Sequence, residues 1–366
     1  MDYGFAPGTT DQDGRARRLF TRRANTALVS VKKLVSVRGF AAHLKSSASV
    51  TRPIDDALIA AHANSEGWIF VAMHGAQKGP TNYETLEDTI ATASHSIAID
   101  DSVIGYTAGD PIMHSVHFKG CNIGKAQPFL EKFREALGDH VMVTAPLHFH
   151  GIWEQKAYGS WEYMAYEFVL RRKSDFAKRA DLITAFDAEG FTYIDGSAVP
   201  TADWGKWVPK KINKTVKTSV TGKLGVTIGK RKTIDAEQQF RVNRSPFTWT
   251  LTYPNAGSVP TTKAARQTAF ETAVNADPTF DPGHAYPQYV RLGYTSVADF
   301  IAGYTWTHTQ VKNKLFTKGT RVEYTILAPI VDLTTGNLVF NFHPSSAAYT
   351  AIRQLAETDG LYFAQV

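Results

Sequence analysis

The chain has 366 residues, 43% of them hydrophobic and 20% charged, so it is long enough for two domains and apolar enough to bury a substantial core. Its formal charge is +6 and it holds a single cysteine, Cys121, which excludes an intramolecular disulfide framework and suits a reducing compartment. The opening "MDYGFAPGTTDQDGRARR" has no apolar signal core and no run approaches membrane-spanning length, so a soluble, cytoplasmic protein with no membrane partner is expected.

Residues 1–26 are polar and basic and read as a lead-in, followed by a core over 27–190 and a second domain over 191–366. In "ALVSVKKLVSVRGF" (27–40) the valines and leucines predict a strand or hairpin. The stretch "RPIDDALIAAHANS" reads as a helix opened by Pro53, with apolar residues at helical spacing. "GWIFVAMHGA", ending at His74-Gly75, is a short continuous apolar run of the kind found in a central strand buried on both faces. "SIAIDD" and "PIMHSVHF" are further strand candidates. Behind Cys121, "KAQPFLEKFREALGDH" places Phe129, Phe133, Ala136 and Leu137 on one helical face and ends at Gly138. "HVMVTAPLHF" and "WEYMAYEFVLRR" read as strands. This alternation predicts an α/β fold, with a mostly parallel sheet flanked by helices.

Past residue 190 the pattern changes, and a C-terminal α+β domain is expected. Residues 191–260 are rich in Thr, Val, Gly and Lys and read as meandering strands. Helices follow at 261–275 and 296–303, then a hairpin over 321–342 turning at "TTGN". A capped helix is expected to begin near Ser345.

Two apolar runs carry chemistry at their ends. His74-Gly75 closes one and Gly120-Cys121 closes another. In a parallel sheet, functional residues gather at the carboxyl edge, which would bring these ends together. A cysteine ahead of a helix N-terminus is favoured as thiolate, and a histidine beside it can take and return its proton. Glycines there permit tight turns and expose backbone N–H groups to a substrate oxygen.

"WIFVAMHGA" followed by "HSVHFKGCNIG" resembles the two signature blocks of caspase-like cysteine peptidases of clan CD, the group of the CHAT-type peptidases, gingipains, clostripain, separase and legumain. The resemblance covers roughly residues 27–170 and implies a caspase-like sheet. It further implies a peptide-bond hydrolase with Cys121 as nucleophile and His74 as general base and acid. The N–H groups of Gly75 and Cys121 would form an oxyanion hole, and no cofactor or metal would be needed. Pro146, Leu147, His148 and Phe149 would lie beside the substrate's first side-chain pocket. Lys119, in "FKGC", stands where CHAT-type members carry a small or polar residue. The partners implied are a protein or peptide substrate and a regulatory protein, with gating by that partner, by oligomerisation or by self-cleavage.

Other readings use different residues. His114, His117, His148 and His150 have HxxH and HxH spacings that could hold a metal in a metal-dependent hydrolase. Asp101, with Asp100 and Asp110, could select a basic substrate side chain, although Asp is common in turns. Nine Lys/Arg and no acidic residue lie between Lys206 and Lys232, so a non-catalytic scaffold could bind nucleic acid or an acidic partner there. Aromatic residues amid the basic region, Trp204, Trp207, Phe240, Phe247 and Trp249, could then stack on bases.

Overall fold

The sheet that organises the first half of the chain begins at residue 2. The computed structural model describes all residues except 1, 9–10, 23–25, 30–35, 48–53, 76, 78, 100–114, 156–158, 194–195, 211, 213–217, 228–232, 330, 333–336, 339 and 343–358. Two units emerge: Met1–Tyr166 with Leu224–Ile234 and Pro329–Val366, and Glu167–Lys223 with Asp235–Ala328. The boundary at 190 expected from composition is therefore replaced by one at 166, with the C-terminal segment returning to the first unit.

In the first unit, β1 (Asp2–Phe5), β2 (Thr26–Leu28), β3 (Asp56–Ile59), β4 (Ser115–Phe118) and β5 (Met142–Pro146) are parallel, in the order β2-β1-β3-β4-β5. The C-terminal β15 (Phe363–Gln365) adds antiparallel to β5. Residues 2–8 and 11–22 are thus part of the core and not a lead-in. Helix α1 (Asp11–Arg22) packs Ala16, Leu19 and Phe20 against Leu58, Ala60 and Ile152. Its Arg17 closes the turn after β1 by donating to the Ala6 and Gly8 carbonyls, at 2.8 Å each.

Two expected elements exchange type. Val37 and Phe40, read as strand, begin helix α2 (Val37–Ser47), whose buried Val37, Phe40, Ala41 and Leu44 repeat at helical spacing. Phe40 stacks on Phe5 of β1, with ring centroids 4.7 Å apart. Conversely, "DALI", read as helix, is β3, whose Ala57, Leu58 and Ile59 are buried between β1 and β4. Three apolar residues in a row look alike in either periodicity, and the ladder on both sides decides.

The run 67–75 is not a sheet strand. It makes single bridges, Ala63↔Ile69, Ile69↔Thr81 and Ser36↔Ala72, burying Ile69, Val71 and Met73 while Phe70 is 59% exposed. Helix α3 (Tyr83–Ala91) then starts from a capping box in which Asn82 and Thr85 satisfy each other's backbone N–H. "SIAI" (96–99) is irregular with Ile97 and Ile99 buried. Helix α4 (Gln127–Leu137) matches its expected face, with Phe129, Phe133, Ala136 and Leu137 buried, and Gly138 ends it at φ 104°. After β5, β6 (Phe149–Gln155) and β7 (Gly159–Arg172) form an antiparallel hairpin.

In the second unit, α5 (Arg179–Ala188) and α6 (Thr201–Trp207) lie where meandering strands were expected for the latter. Strand β8 (Thr218–Thr227) is followed by the long β9 (Thr233–Thr252), Leu224–Ile234 being assigned to the first unit. Helix α7 (Lys263–Asn275), two short helices α8 (Gln288–Arg291) and α9 (Val297–Ala302), and the hairpin β10 (Thr305–Val311) and β11 (Lys314–Pro329) complete it, with β11 antiparallel to β9. Phe270, Phe280, Phe300 and Tyr304 centre its core, with Trp249 and Trp306 packed against them. Arg321 is buried there between the Tyr294 and Tyr304 rings and bound to Glu323 at 2.7 Å. The 321–342 region contains the expected antiparallel pair, Val331↔Leu338 and Asp332↔Asn337. The helix expected from Ser345 lies outside the described residues.

Mixed α/β architecture with a mostly parallel sheet flanked by helices, and a second, antiparallel sheet, is therefore the fold class. No helix among the described residues is long and apolar enough to cross a membrane.

Candidate active site

Strands β3 and β4 are adjacent and parallel, with Ile59 opposite Phe118, so the segments that follow them leave the same edge of the sheet. Lys119 continues the pairing by donating its N–H to the Ile59 carbonyl at 2.8 Å. At Gly120 the two segments nearly touch. A Cβ there would sit 2.8 Å from the Ala61 carbonyl oxygen, 2.7 Å from the Ala63 Cβ and 3.6 Å from the Ala63 nitrogen. Only glycine fits this approach. The residue between Ala61 and Ala63 is His62, exposed at the same edge as Cys121.

The loop bearing His62 is tied down on its far side. Phe70 donates its N–H to the His62 carbonyl at 2.8 Å, and Asn64 donates to the Trp68 carbonyl at 3.2 Å. Ala63 and Ile69 face each other between those two bonds, in the non-hydrogen-bonded position of an antiparallel pair, so the Ala63 N–H points away from the ladder.

Cys121 itself is partly exposed and lies in a turn, with a 3-10 turn (Ile123–Lys125) between it and α4. The expected direct seat at a helix N-terminus is thus displaced by five residues. Its thiol donates to the His150 carbonyl at 3.2 Å, and the next N–H, that of Asn122, donates to the His148 carbonyl at 2.9 Å. Asn122 takes a left-handed backbone, φ 55°, which Asn tolerates better than most residues.

A buried ion pair sits directly behind the cysteine. The Lys119 ammonium is fully buried and lies 3.1 Å from Glu162 Oε1 and 3.3 Å from Oε2. His150 Nε2 approaches the same carboxylate at 3.4 Å. The lysine that departs from the CHAT pattern therefore clamps the end of β4 to β7, and through His150 to the segment that receives the thiol.

The expected pocket residues line the end of β5. Pro146 is buried and pairs with Phe363, while Leu147 donates its N–H to the Tyr362 carbonyl at 2.8 Å. Phe149 opens β6 against Tyr163. His148 packs edge-on to Tyr166, centroids 5.3 Å apart, and burial, reinforced by the Lys125 charge, lowers its pKa to about 4. It is a neutral imidazole at physiological pH. Asp101 lies outside the described residues.

His74 occupies a different group. Its ring stacks on His95, centroids 3.9 Å apart, and His95 Nδ1 lies 2.9 Å from Asp88 Oδ2. Gly75 beside it has open space where a Cβ would be, so nothing there requires a glycine for close approach. His74 and Cys121 do not close two neighbouring strands as expected: residues 67–75 do not enter the sheet, and the strand beside β4 leads to His62 instead. The signal for His62 was present as a histidine directly after an apolar run in "DALIAAH", hidden by reading that run as helix.

The four-histidine metal reading is not assembled among the described residues. His117 is buried between Thr144, at 2.5 Å, and Asp56, at 3.4 Å, bridging β3, β4 and β5. His148 and His150 have the separate partners given above, and His114 lies outside the described residues. Of the basic segment, residues 211, 213–217 and 228–232 are likewise outside. The aromatics expected near it are core: Trp204, Trp207 and Phe240 are buried, and Phe247 and Trp249 pack in the second unit's aromatic cluster.

Comparison with family models, with curated proteins and with solved structures finds no match.

Proposed function

We propose that the chain is a cysteine hydrolase acting on peptide bonds, with Cys121 as nucleophile and His62, in place of His74, as its general base and acid. The observation that carries this reading is the parallel neighbourhood of β3 and β4, with Gly120 pressed against Ala61 and Ala63 on either side of His62. A caspase-like identity remains part of the proposal, now with the histidine moved to the strand beside the cysteine's own.

In this mechanism the thiol first gives up its bond to the His150 carbonyl and passes its proton to His62. The sulfur then bonds to the substrate's carbonyl carbon, and the C=O π pair moves onto oxygen. In this reading the N–H groups of Ala63, whose nitrogen lies 3.6 Å from where a Gly120 Cβ would sit, and of Cys121 take the oxyanion, the role expected of Gly75 passing to Ala63. As the C–N bond breaks, His62 returns the proton to the leaving amine. Water then cleaves the thioester. The thiol is held against the His150 carbonyl, so in this reading a partner or substrate that shifts residues 148–150 would activate it.

Iodoacetamide labelling of the native protein tests the assignment, comparing wild type, His62→Ala and His74→Ala. Labelling of Cys121 near neutral pH should slow at least about tenfold in His62→Ala, because positioned acid–base partners contribute factors of about 10² or more. His74→Ala should label like wild type. Equal rates in all three proteins, or slowing confined to His74→Ala, would remove the His62 assignment.

A further inference from the structure

We propose a second site, a zinc site formed by His74, Asp88 and His95, independent of the Cys121 chemistry. Among the described residues, these three alone bring His, Cys, Asp or Glu donor atoms from at least three side chains within 4.8 Å of one another. The donor set is two imidazole nitrogens and one carboxylate oxygen. That set suits zinc and its first-row neighbours better than calcium or magnesium, which take oxygen shells.

The backbone prepares the site from two directions. Asp88 lies in the last turn of α3, and the 3-10 turn that follows folds His95 back over it, through Thr92 N–H to the Asp88 carbonyl at 2.9 Å and His95 N–H to the Thr92 carbonyl at 2.8 Å. His74 arrives from the irregular segment. There Gln77 accepts from the Met73 N–H at 2.9 Å and donates to the Pro80 carbonyl at 2.8 Å, while the Gln77 N–H binds the His74 carbonyl at 3.0 Å. The two rings lie nearly parallel, 17° apart.

Tetrahedral zinc with bonds of about 2.0–2.1 Å needs its ligand atoms roughly 3.3–3.5 Å apart. Reaching this requires side-chain rotations that unstack the two rings; Asp88 is 56% and His95 26% exposed, and neither is locked in a core. Without metal, Asp88 and His95 share a hydrogen bond at Nδ1. On binding through that nitrogen the ring carries its proton on Nε2, and water takes the remaining coordination position on the solvent side. The bound ion would staple residue 74 to the end of α3.

The test uses the full-length protein on a Cys121→Ser background, treated with chelator and dialysed, so that thiolate binding cannot contribute. Cobalt(II) serves as a visible probe and zinc as its competitor. About one equivalent of cobalt should give the d–d bands of a tetrahedral ion, displaced by zinc. His95→Ala, His74→Ala and the surface change Asp88→Asn should each weaken binding at least about tenfold, while His284→Ala, a histidine of the second unit, leaves it unchanged. Circular dichroism checks the fold of each variant, and Asp88→Asn, on the exposed face, keeps the test decisive if a histidine variant is unstable. Absence of any specific binding, or affinity unaffected by Asp88→Asn and by the histidine variants, would overturn the proposal.

Discussion

His148 shows how one side chain can be neutral for physical reasons and leave a measurable trace. Burial beside Tyr166 and the charge of Lys125 lower its pKa to about 4, from the ordinary 6.5 it regains when unfolded. Between those values the unfolded chain binds a proton that the native one refuses, so stability is complete above the unfolded pKa and falls as pH drops toward about 4. The loss attributable to this residue is at most roughly 3 kcal/mol, because each tenfold weakening of proton binding is worth about 1.4 kcal/mol. Urea midpoints from about pH 7 down to about pH 4 should therefore fall more steeply for wild type than for His148→Gln. Parallel pH profiles would show that His148 titrates normally.

At the scale of elements, the end of β4 is secured by an ion pair and not by apolar packing alone. Lys119 and Glu162 are both buried, and removing one partner strands the other without its countercharge. Glu162→Gln should cost about 3–5 kcal/mol in a denaturant melt, whereas the joint replacement Lys119→Met with Glu162→Leu should cost clearly less, since an apolar pair needs no compensation. If the double variant is no more stable than the single one, the pair is not the clamp described here. The same scale explains which elements were legible. Helix α4 was, because eleven residues with Phe129, Phe133, Ala136 and Leu137 on one face leave one periodicity open. The strand β3 was not, because three apolar residues fit a helix turn and a buried strand equally. The valines of 28–37 suggested strand by propensity, yet Val37 enters a helix because tertiary burial of Val37, Phe40, Ala41 and Leu44 outweighs a fraction of a kcal/mol of intrinsic preference.

For the molecule as a whole, each unit has its own core. The aromatic cluster around Phe300 belongs to the second unit, while the residues proposed for catalysis belong to the first. Phe300→Ala should destabilise the second unit by about 3–5 kcal/mol, seen in tryptophan fluorescence during urea unfolding, while native-state labelling of Cys121 keeps its wild-type rate. A changed labelling rate would show that the two cores do not act separately.

Residue order was enough to establish the α/β class, the amphipathic helix behind Cys121, a helix within 261–275, the strand at 142–146, and the placement of the one cysteine just past a strand and a glycine. These follow from composition and from repeats long enough to have one period. Long-range contacts alone settled that the strand leading to His62 lies beside the strand leading to that cysteine, that residues 2–5 and 363–365 belong to the same sheet, and that His74 meets Asp88 and His95. Each of those depends on which segments are brought together across long stretches of chain, and such pairing leaves no mark in the spacing of residues along any one segment.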